Sequence, residues 1–371
     1  MSSNEQQYDL AVIGGGISGI GVALLAAEEG QRVILIERGQ LGGGASANSL
    51  RVIHGGFRYL QSLNLSRAIR SLRAQAEILK RFPEVTKPIT CIMPLRPTGM
   101  KGRWPCTVGA FLYRLLGRVV GVPTTADVRV RLEGDLEPLA AFAPNGALIW
   151  NDGVIADLAG LQSVLRGALV TGGVEVREQV AIQSIELNDN HYRLRGAAFE
   201  AAAAVLVNCA GAGIGDVRTL AGIKGRARPN GWCKAFNLIV RPTLPTPHGV
   251  AVHGPDGRLF FLVPRGAYTA VGTSYQSLVG PPGRGKPTDE EVQNFLQQLM
   301  ESQLPFLLSE QDIHAVEWGV LPTVGVGPSG PILQGEEQIY REGRYIEVVS
   351  TKWTTFLPQA RAVLAEVALC S

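Results

Sequence analysis

The feature that most constrains the fold is a glycine-rich turn near the N-terminus, which directly follows an apolar strand. Residues 8–13 (YDLAVI) form an apolar run that predicts a buried parallel strand. Gly14, Gly16 and Gly19 come next in a G-x-G-x-x-G frame, and an Ala- and Leu-rich helix follows over residues 21–30. A glycine turn between a strand and a helix predicts a dinucleotide-binding βαβ unit.

Each part of this unit has a mechanical role. The first glycine permits the tight turn, the second lets the backbone approach a pyrophosphate, and the third lets the helix pack closely on the strand. The helix N-terminus offers N–H groups and the positive end of its dipole to phosphate. A second strand, residues 32–37 (RVILIE), ends at Glu37. A carboxylate there accepts hydrogen bonds from ribose hydroxyls and repels the 2′-phosphate of NADP. The pattern does not separate FAD from NAD.

Composition excludes several classes of protein. The 371 residues suffice for two domains of about 150 residues each. Apolar residues make up 46% and charged residues 18%, which excludes a disordered chain. A net charge of +3 gives no basis for nucleic-acid binding. The five cysteines are scattered without C-x-x-C spacing, so we predict no metal site and expect a reducing compartment.

Residues 62–82 repeat apolar side chains at helical spacing and predict an amphipathic helix. Its apolar stripe would begin at Leu65. Its basic positions, Arg67, Arg70 and Arg73, are expected to form a solvated face.

Residues 101–121 are apolar with basic flanks and allow two interpretations. One is a helix that lies on a membrane surface, and the other is a helix packed into the substrate region. The apolar part is too short to span a bilayer, and the N-terminus lacks the basic region of a signal peptide. We expect the packed helix, because a stable membrane anchor needs a second signal and none is visible.

Three further motifs carry a family resemblance. The stretch 41–60 (LGGGASANSLRVIHGGFRYL) follows Glu37 in sequence. It is rich in small and hydroxyl residues and ends in H-G-G-F-R-Y-L. Residues 208–213 read N-C-A-G-A-G, and residues 350–355 read S-T-K-W-T-T. Together with the glycine turn, these motifs resemble FAD-dependent glycerol-3-phosphate dehydrogenases of the D-amino-acid-oxidase-like (DAO) flavoprotein group. The resemblance spans nearly the whole chain.

The resemblance implies an α/β fold. In it, a Rossmann-like FAD-binding domain of the glutathione-reductase type is interleaved with an antiparallel β-sheet substrate domain. We expect the FAD-binding domain to comprise residues 1–85, 148–224 and 325–371, and the substrate domain to comprise residues 86–147 and 225–324. Within the first domain, the segments VEVREQ, VAIQSIEL and HYRLRG predict a β-meander. Bacterial members of the family carry an extra C-terminal helical domain, which we expect to be missing here.

The resemblance also implies which residues hold FAD. The acid and the small-residue loop would lie along the dinucleotide, and the last helix would direct its N-terminus at the flavin. The predicted cofactor-binding residues are Gly14, Gly16, Ile17, Ser18, Gly19, Glu37, Arg38, Ser46, Ala47, Ser49, Val180, Ala210, Gly211, Lys352, Trp353, Thr354 and Thr355.

Three residues are candidates for catalysis. His54 could take up a substrate proton, because imidazole titrates near neutral pH, and the alternative is a packing histidine. Arg58 suits a carboxylate or phosphate, and the alternative is an internal ion pair. Lys352 could add charge or hold a substrate oxygen, and the alternative is a surface lysine. Tyr59 matches the substrate-facing partner of Arg58 in the family.

Two predicted substrate-binding positions depart from the family pattern. Leu321 stands where the family's G-V-R-P motif has arginine, and Asn237 stands where its strand has histidine. Leucine can neither pair with an anion nor donate a hydrogen bond, so an anionic anchor is lost. We therefore expect a substrate that is less anionic or larger than glycerol 3-phosphate.

The leading hypothesis is an FAD-dependent oxidoreductase that moves a hydride from a small polar alcohol to the flavin. The alternatives are an amine or amino-acid oxidase of the same group and a flavin-binding partner or sensor without turnover. The electron acceptor stays open among oxygen, a quinone and a protein. We expect a cytoplasmic location, with peripheral attachment to the inner membrane as the alternative.

Overall fold

The computed structural model describes residues 7–60, 64–188, 190–224, 229–327 and 330–370. The elements within these ranges are numbered in chain order. The helices are α1 Ile17–Glu28, α2 Phe57–Leu60, α3 Leu65–Arg81, α4 Arg103–Val120, α5 Leu158–Thr171, α6 Ile214–Leu220, α7 Asp289–Met300 and α8 Phe356–Ala368. The strands are β1 Gln7–Ile13, β2 Val33–Ile36, β3 Val52–Ile53, β4 Thr86–Pro94, β5 Ala126–Arg129, β6 Ala147–Ile155, β7 Glu175–Arg177, β8 Ile182–Asn188, β9 His191–Gly196, β10 Phe199–Asn208, β11 Gly231–Val240, β12 Gly249–His253, β13 Leu259–Arg265, β14 Tyr268–Ser277, β15 Ile313–Gly327, β16 Gly330–Leu333, β17 Gln338–Glu342 and β18 Tyr345–Val349.

The first sheet is built around the predicted βαβ unit. Strands β18, β10, β1, β2 and β7 run parallel in that order, and β17 and β9 add antiparallel partners at β18 and β10. The strands of the βαβ unit are apolar along their length because helices cover them. Helices α1, α5 and α8 contribute to the apolar cluster that contains side chains of β1 and β2. This sheet confirms the Rossmann-like half of the predicted α/β fold.

The predicted meander holds only in part. Strands β8, β9 and β10 form it, each antiparallel to the next. The segment VEVREQ does not join them, because β7 pairs parallel with β2 at the far edge of the sheet. Helix α5 instead carries the chain from β6 to the edge of this sheet beside β2, so β7 is remote from β8.

The second sheet is mostly antiparallel. Its order is β16, β15, β11, β14, β13, β12, β4, β6 and β3, with β5 also paired to β6. The domain boundaries that we predicted do not follow the two sheets. Residues 147–155 form β6 and pair with β4, and residues 330–333 form β16 and pair with β15. Both segments therefore belong to the second sheet rather than to the FAD-binding part.

Helix α3 corrects the predicted amphipathic face. Its buried side is made by residues such as Ala68 and Leu72, whereas Leu65 is exposed. Only Arg73 of the basic positions is an exposed residue. Arg67 lies over the ring of Tyr59, and Arg70 pairs with Glu337. Residues 62 and 63 lie outside the described ranges.

Helix α4 packs through a narrow stripe and leaves an apolar face exposed. Its buried residues are Cys106, Ala110, Tyr113 and Gly117. The opposite side presents six large apolar side chains to solvent, among them Trp104 at 77% exposure: they are Trp104, Val108, Phe111, Leu112, Leu115 and Val119. The expected packed helix is therefore only partly correct, since these residues stay exposed. In the described parts of the chain, no helix combines the length and apolarity needed to cross a bilayer.

The glycine turn depends on one close backbone approach. A Cβ atom on Gly19 would lie 1.9 Å from the carbonyl oxygen of Gly14, and one on Gly14 would lie 2.5 Å from that of Cys209. Gly14 also has φ of 107°, in the left-handed region that favours glycine. The turn therefore joins the ends of β1 and β10 at a spacing that no larger residue tolerates.

Replacing Gly19 with alanine should open this turn. We expect Gly19→Ala to destabilise the protein by about 1–3 kcal/mol, the usual cost of overpacking, and to weaken FAD binding. Gly215→Ala is the matched control, because a Cβ added there would have no atom within 4 Å and alanine favours a helix. Urea unfolding and flavin titration measure both effects. A Gly19→Ala protein as stable as Gly215→Ala would contradict the close approach.

Candidate functional site

A deep cavity lies where the carboxyl ends of the parallel strands meet the second sheet. Its volume is about 810 Å³, within the range of ligand pockets. On one side it is lined by residues that follow β1, β2 and β10, and on the other by Asn237, Phe261 and Gly319 of the second sheet. The ends of parallel strands are where α/β sheets bind ligands.

The dinucleotide end of the cavity is built as the glycine turn predicts. Ser46 accepts a hydrogen bond from the Ile17 amide at 3.0 Å, so its hydroxyl sits at the N-terminus of α1. Glu37 accepts from the amides of Gly15 at 2.6 Å and Gly39 at 2.7 Å. The carboxylate is thereby fixed at the end of β2, beside the cavity, where a ribose would meet it.

All but three of the predicted cofactor residues line the cavity. Those that line it are Gly14, Gly16, Ile17, Ser18, Glu37, Arg38, Ser46, Ser49, Val180, Ala210, Gly211, Lys352, Trp353 and Thr354. Gly19, Ala47 and Thr355 do not border it. Gly19 is packed against Gly14, and Thr355 is a buried N-cap of α8.

Two distant motifs meet at the opposite end of the cavity. The backbone amide of His54 donates to the Thr354 hydroxyl at 3.1 Å, which joins H-G-G-F-R-Y-L to S-T-K-W-T-T. Thr354 directly precedes the N-cap of α8, so the N-terminus of this 13-residue helix opens next to His54. The juxtaposition places backbone donors and a helix dipole beside an imidazole.

His54 is held by a carboxylate that the sequence analysis missed. Its Nδ1 lies 2.9 Å from Asp152 Oδ2, and Asp152 is 3% exposed. Asp152 also accepts from the Gly55 amide at 2.7 Å, from Trp150 Nε1 at 3.1 Å and from Gln75 Nε2 at 3.2 Å. Both carboxylate oxygens are thus satisfied, which offsets the cost of burying the charge.

The rest of the histidine ring faces the cavity. The side chain of His54 is 48% exposed, and the ring makes an edge contact with Phe261 at 5.4 Å between centroids. Among the described residues, none forms a hydrogen bond with Nε2. An Asp–His pair of this kind orients the imidazole and favours the tautomer whose Nε2 is a free acceptor.

Lys352 and Arg67 both lie over the ring of Tyr59. The Lys352 Nζ is 4.6 Å from the ring centroid, and the Arg67 guanidinium carbon is 4.4 Å from it. Burial, the charge of Arg67, and further charges that include Arg58 and Arg70 lower the pKa of Lys352 to about 7. Tyr59 and Lys352 line the cavity, so the predicted substrate pair of Tyr59 and Arg58 has a lysine beside it.

The remaining predicted residues fall into two groups. Arg58 and Leu321 line the cavity, and no described carboxylate pairs with Arg58. Asn237 also borders it but is 1% exposed. Its amide donates to the Asn48 carbonyl at 3.1 Å and accepts from Thr273 Oγ1 at 2.8 Å. Its amide groups are therefore engaged within the protein, which argues against the substrate contact that we expected.

The cavity fits FAD by its shape and its donors. A Cβ on Gly16 would lie 3.3 Å from Ser46 Oγ, so the second glycine keeps the phosphate end open. Ser46 and Ser49 add hydroxyl groups to the cavity wall near this end. The N-terminus of α8 lies at the other end of the cavity. Two buried polar atoms near this terminus, Thr355 Oγ1 and Gln359 Nε2, lack a partner.

Comparison with known proteins agrees with this geometry. Residues 9–346 match the protein family described as FAD dependent oxidoreductase (DAO). A glycerol-3-phosphate dehydrogenase of Pseudomonas aeruginosa is 28% identical over 324 residues, which cover 85% of this chain and 61% of that protein. The chain thus spans about three fifths of the length of this relative.

Solved structures show the same fold. An L-alpha-glycerophosphate oxidase from Mycoplasma pneumoniae with FAD bound has a TM-score of 0.71 at 13% identity, and the match covers 98% of this chain and 94% of that one. A glycine oxidase from Geobacillus kaustophilus has a TM-score of 0.68 at 17% identity, with 99% and 96% covered. These neighbours therefore confirm the predicted fold class.

The low pKa of Lys352 predicts a charge change in the neutral range. Below about pH 7 the amine is protonated and above it is neutral, so acylation of Lys352 should rise through a midpoint near pH 7. Mass spectrometry after brief acetic anhydride pulses measures this midpoint. Lys352→Arg is the control, because arginine is not acylated under these conditions and the modification should vanish. A midpoint near the ordinary lysine pKa of about 10.4 would contradict the assigned environment.

Proposed function

Because the chain belongs to the DAO family of FAD-dependent oxidoreductases, we propose that it oxidises a small polar alcohol, similar to glycerol 3-phosphate or less anionic. Bound FAD supplies the hydride acceptor. The protein must then place the substrate carbon, take up the hydroxyl proton and stabilise the charge that develops. The observation that carries the proposal is the His54–Asp152 pair, which borders the cavity next to the N-terminus of α8.

His54 is suited to accept the hydroxyl proton. Asp152 engages Nδ1, which leaves Nε2 as the acceptor toward the cavity. As hydride leaves the carbon, the alcohol proton moves to Nε2, and the imidazolium that forms is stabilised by the buried carboxylate. Asp152 acts through His54 and is a positioning residue.

Arg58, Tyr59 and Lys352 are suited to bind the rest of the substrate. Arg58 brings positive charge to the cavity, and Lys352 adds a second charge below about pH 7. The phenol ring of Tyr59 lies under the Lys352 amine. Leu321 contributes only apolar surface and no hydrogen-bond donor. An anionic group of the substrate would therefore be bound by Arg58 and Lys352 but not by residue 321. The missing donor supports a substrate less anionic than glycerol 3-phosphate.

The main alternative is oxidation of an amine or amino acid. The similarity to a glycine oxidase fold allows it. An amine that is oxidised in its neutral form needs no protein base. The His54–Asp152 pair would then have no role in proton transfer. A flavin-binding partner without turnover is a second alternative, and it draws support from the loss of polar anchors at Leu321 and Asn237.

Anaerobic bleaching of the bound flavin tests the proposal directly. Purified holoenzyme is mixed with polar alcohols, their phosphate esters, and amino acids, and loss of the flavin absorbance is followed. We expect an alcohol to bleach it. Bleaching by amino acids alone would assign the protein to the amine class, and bleaching by nothing but dithionite would favour the partner without turnover.

The Asp152→Asn variant tests the role of the Asp–His pair. Asparagine keeps the shape but no longer favours the productive tautomer, so we expect the bleaching rate to fall by about 100-fold or more with FAD still bound. Asp157→Asn is the matched control, because Asp157 makes no cap hydrogen bond and does not border the cavity. Equal rates in the two variants would remove the base from the mechanism.

The exposed face of α4 supports a peripheral position on an anionic membrane. Six apolar side chains share this face, and residues 101–121 contain Lys101, Arg103, Arg114 and Arg118 but no carboxylate. An apolar stripe flanked by cations fits the interface of anionic lipids. The helix connects β4 and β5 of the second sheet, so attachment would place that sheet near the lipid.

Vesicle binding tests this position. We expect the wild type to sediment with phosphatidylglycerol vesicles and Trp104→Ser/Phe111→Ser to lose at least about tenfold in partitioning, since two large apolar contacts are removed. Leu307→Ser is the control, because Leu307 is an exposed apolar residue elsewhere on the surface. Wild type that stays in the supernatant would leave α4 without a lipid role.

A further inference from the structure

Side chains from three strands of the second sheet contact the loop that borders the cofactor cavity. The loop, defined here as residues 44–51, follows β2 and forms part of the cavity wall. Asn237 of β11 donates to the Asn48 carbonyl at 3.1 Å. Arg265 of β13 donates to the Ser49 carbonyl through Nη2 at 2.7 Å. Two consecutive loop carbonyls are thus held by side chains from two different strands.

The third strand adds a charged contact to the same loop. Glu317 of β15 accepts from Arg51 Nη2 at 3.3 Å, and it accepts from Arg265 Nη1 at 2.9 and 3.0 Å through its two oxygens. Two residues further along β15, a Cβ on Gly319 would lie 2.8 Å from Ala45. The loop is therefore clamped by hydrogen bonds at one end and by close packing at the other.

The charges of this cluster do not cancel. Arg51, Glu317 and Arg265 have side chains that are 20%, 19% and 11% exposed, and together they carry two positive charges and one negative charge. No second carboxylate pairs with either arginine among the described residues. The Nε atoms of both arginines are buried, and no residue that the structure describes accepts a hydrogen bond from them. Burial lowers the pKa of Arg265, as expected for a guanidinium with too few counter-charges.

The excess charge lies on the cofactor side of the cluster. Arg51 lines the cavity, as do the neighbouring Asn48 and Ser49, whereas Arg265 does not. Because the three charged side chains are mostly buried, solvent screens their charge only weakly.

We propose that Arg51, Arg265 and Glu317 form a clamp that positions the 44–51 loop and leaves one positive charge beside the bound FAD, where it favours the reduced cofactor. Transfer of a hydride brings two electrons and one proton to FAD, so the reduced ring carries one negative charge more than the oxidised ring. The matching proton goes to His54. A nearby positive charge stabilises the product of this step more than the reactant.

The proposal rests on FAD binding and not on the identity of the substrate. Its test therefore uses electrochemical reduction of the holoenzyme against a reference dye, with no substrate present. The clamp can then fail while alcohol oxidation stands, and the reverse also holds.

Opposite potential shifts are the expected result. Glu317→Gln raises the local charge by one and should raise the midpoint potential, whereas Arg51→Gln lowers it by one and should lower the potential. A merely structural loss would shift both variants the same way. Glu291→Gln and Lys234→Gln are the matched controls, since this ion pair has similar burial on the same side of the fold but does not border the cavity.

Glu317→Gln decides the charge assignment even if Arg51→Gln fails to fold. A potential equal to or below that of the wild type would overturn it. Arg265→Lys tests the clamp separately, because lysine keeps the charge but cannot bridge Glu317 and the Ser49 carbonyl. We expect FAD to dissociate about tenfold faster from Arg265→Lys with the potential unchanged. An unaltered dissociation rate would overturn the positioning role.

Discussion

The close backbone approach at the end of β1 is the constraint on which the rest of the site depends. Gly14, Gly19 and the carbonyl of Cys209 lie so near one another that side chains are excluded there. Because the approach brings β1, α1 and β10 to one point, the carboxyl ends of the parallel strands open onto a shared cavity. Every group that touches the dinucleotide end, including Ser46 and Glu37, is positioned relative to this turn.

The parts of the fold that follow from local pattern could be predicted from the sequence. Apolar strands, the glycine turn and the capping box that begins α7 at Thr288 are set by neighbours within a few residues. The motifs around His54 and Thr354 were recognisable separately. Their contact joins residues 300 positions apart, so local pattern could not predict it.

The residues that sequence analysis missed or misjudged depend on tertiary partners. Asp152 sits inside an ordinary apolar strand, and nothing near it in sequence shows that four donors surround its carboxylate. Arg67 has the spacing of a solvated helix position, yet it contacts the ring of Tyr59 and the carbonyl of Gly335. Asn237 was expected to face substrate because it stands where the family has histidine, and its amide instead contacts the loop and Thr273. In each case a partner distant in sequence decides the role.

Charge placement links these tertiary contacts to chemistry. The second sheet supplies Asp152, which holds His54, and the Glu317–Arg265 pair, which contacts Arg51 of the loop. His54 and Arg51 border the cavity, whose other wall carries the phosphate-binding turn. The carboxylate that orients His54 and the counter-ion of Arg51 thus come from the same sheet, at different points. In the reaction that we propose, the proton and the electron pair leave the substrate in different directions, so His54 and Arg51 have separate tasks. Leu321 belongs to neither group, so a change at this position leaves the proton acceptor and the charge cluster in place.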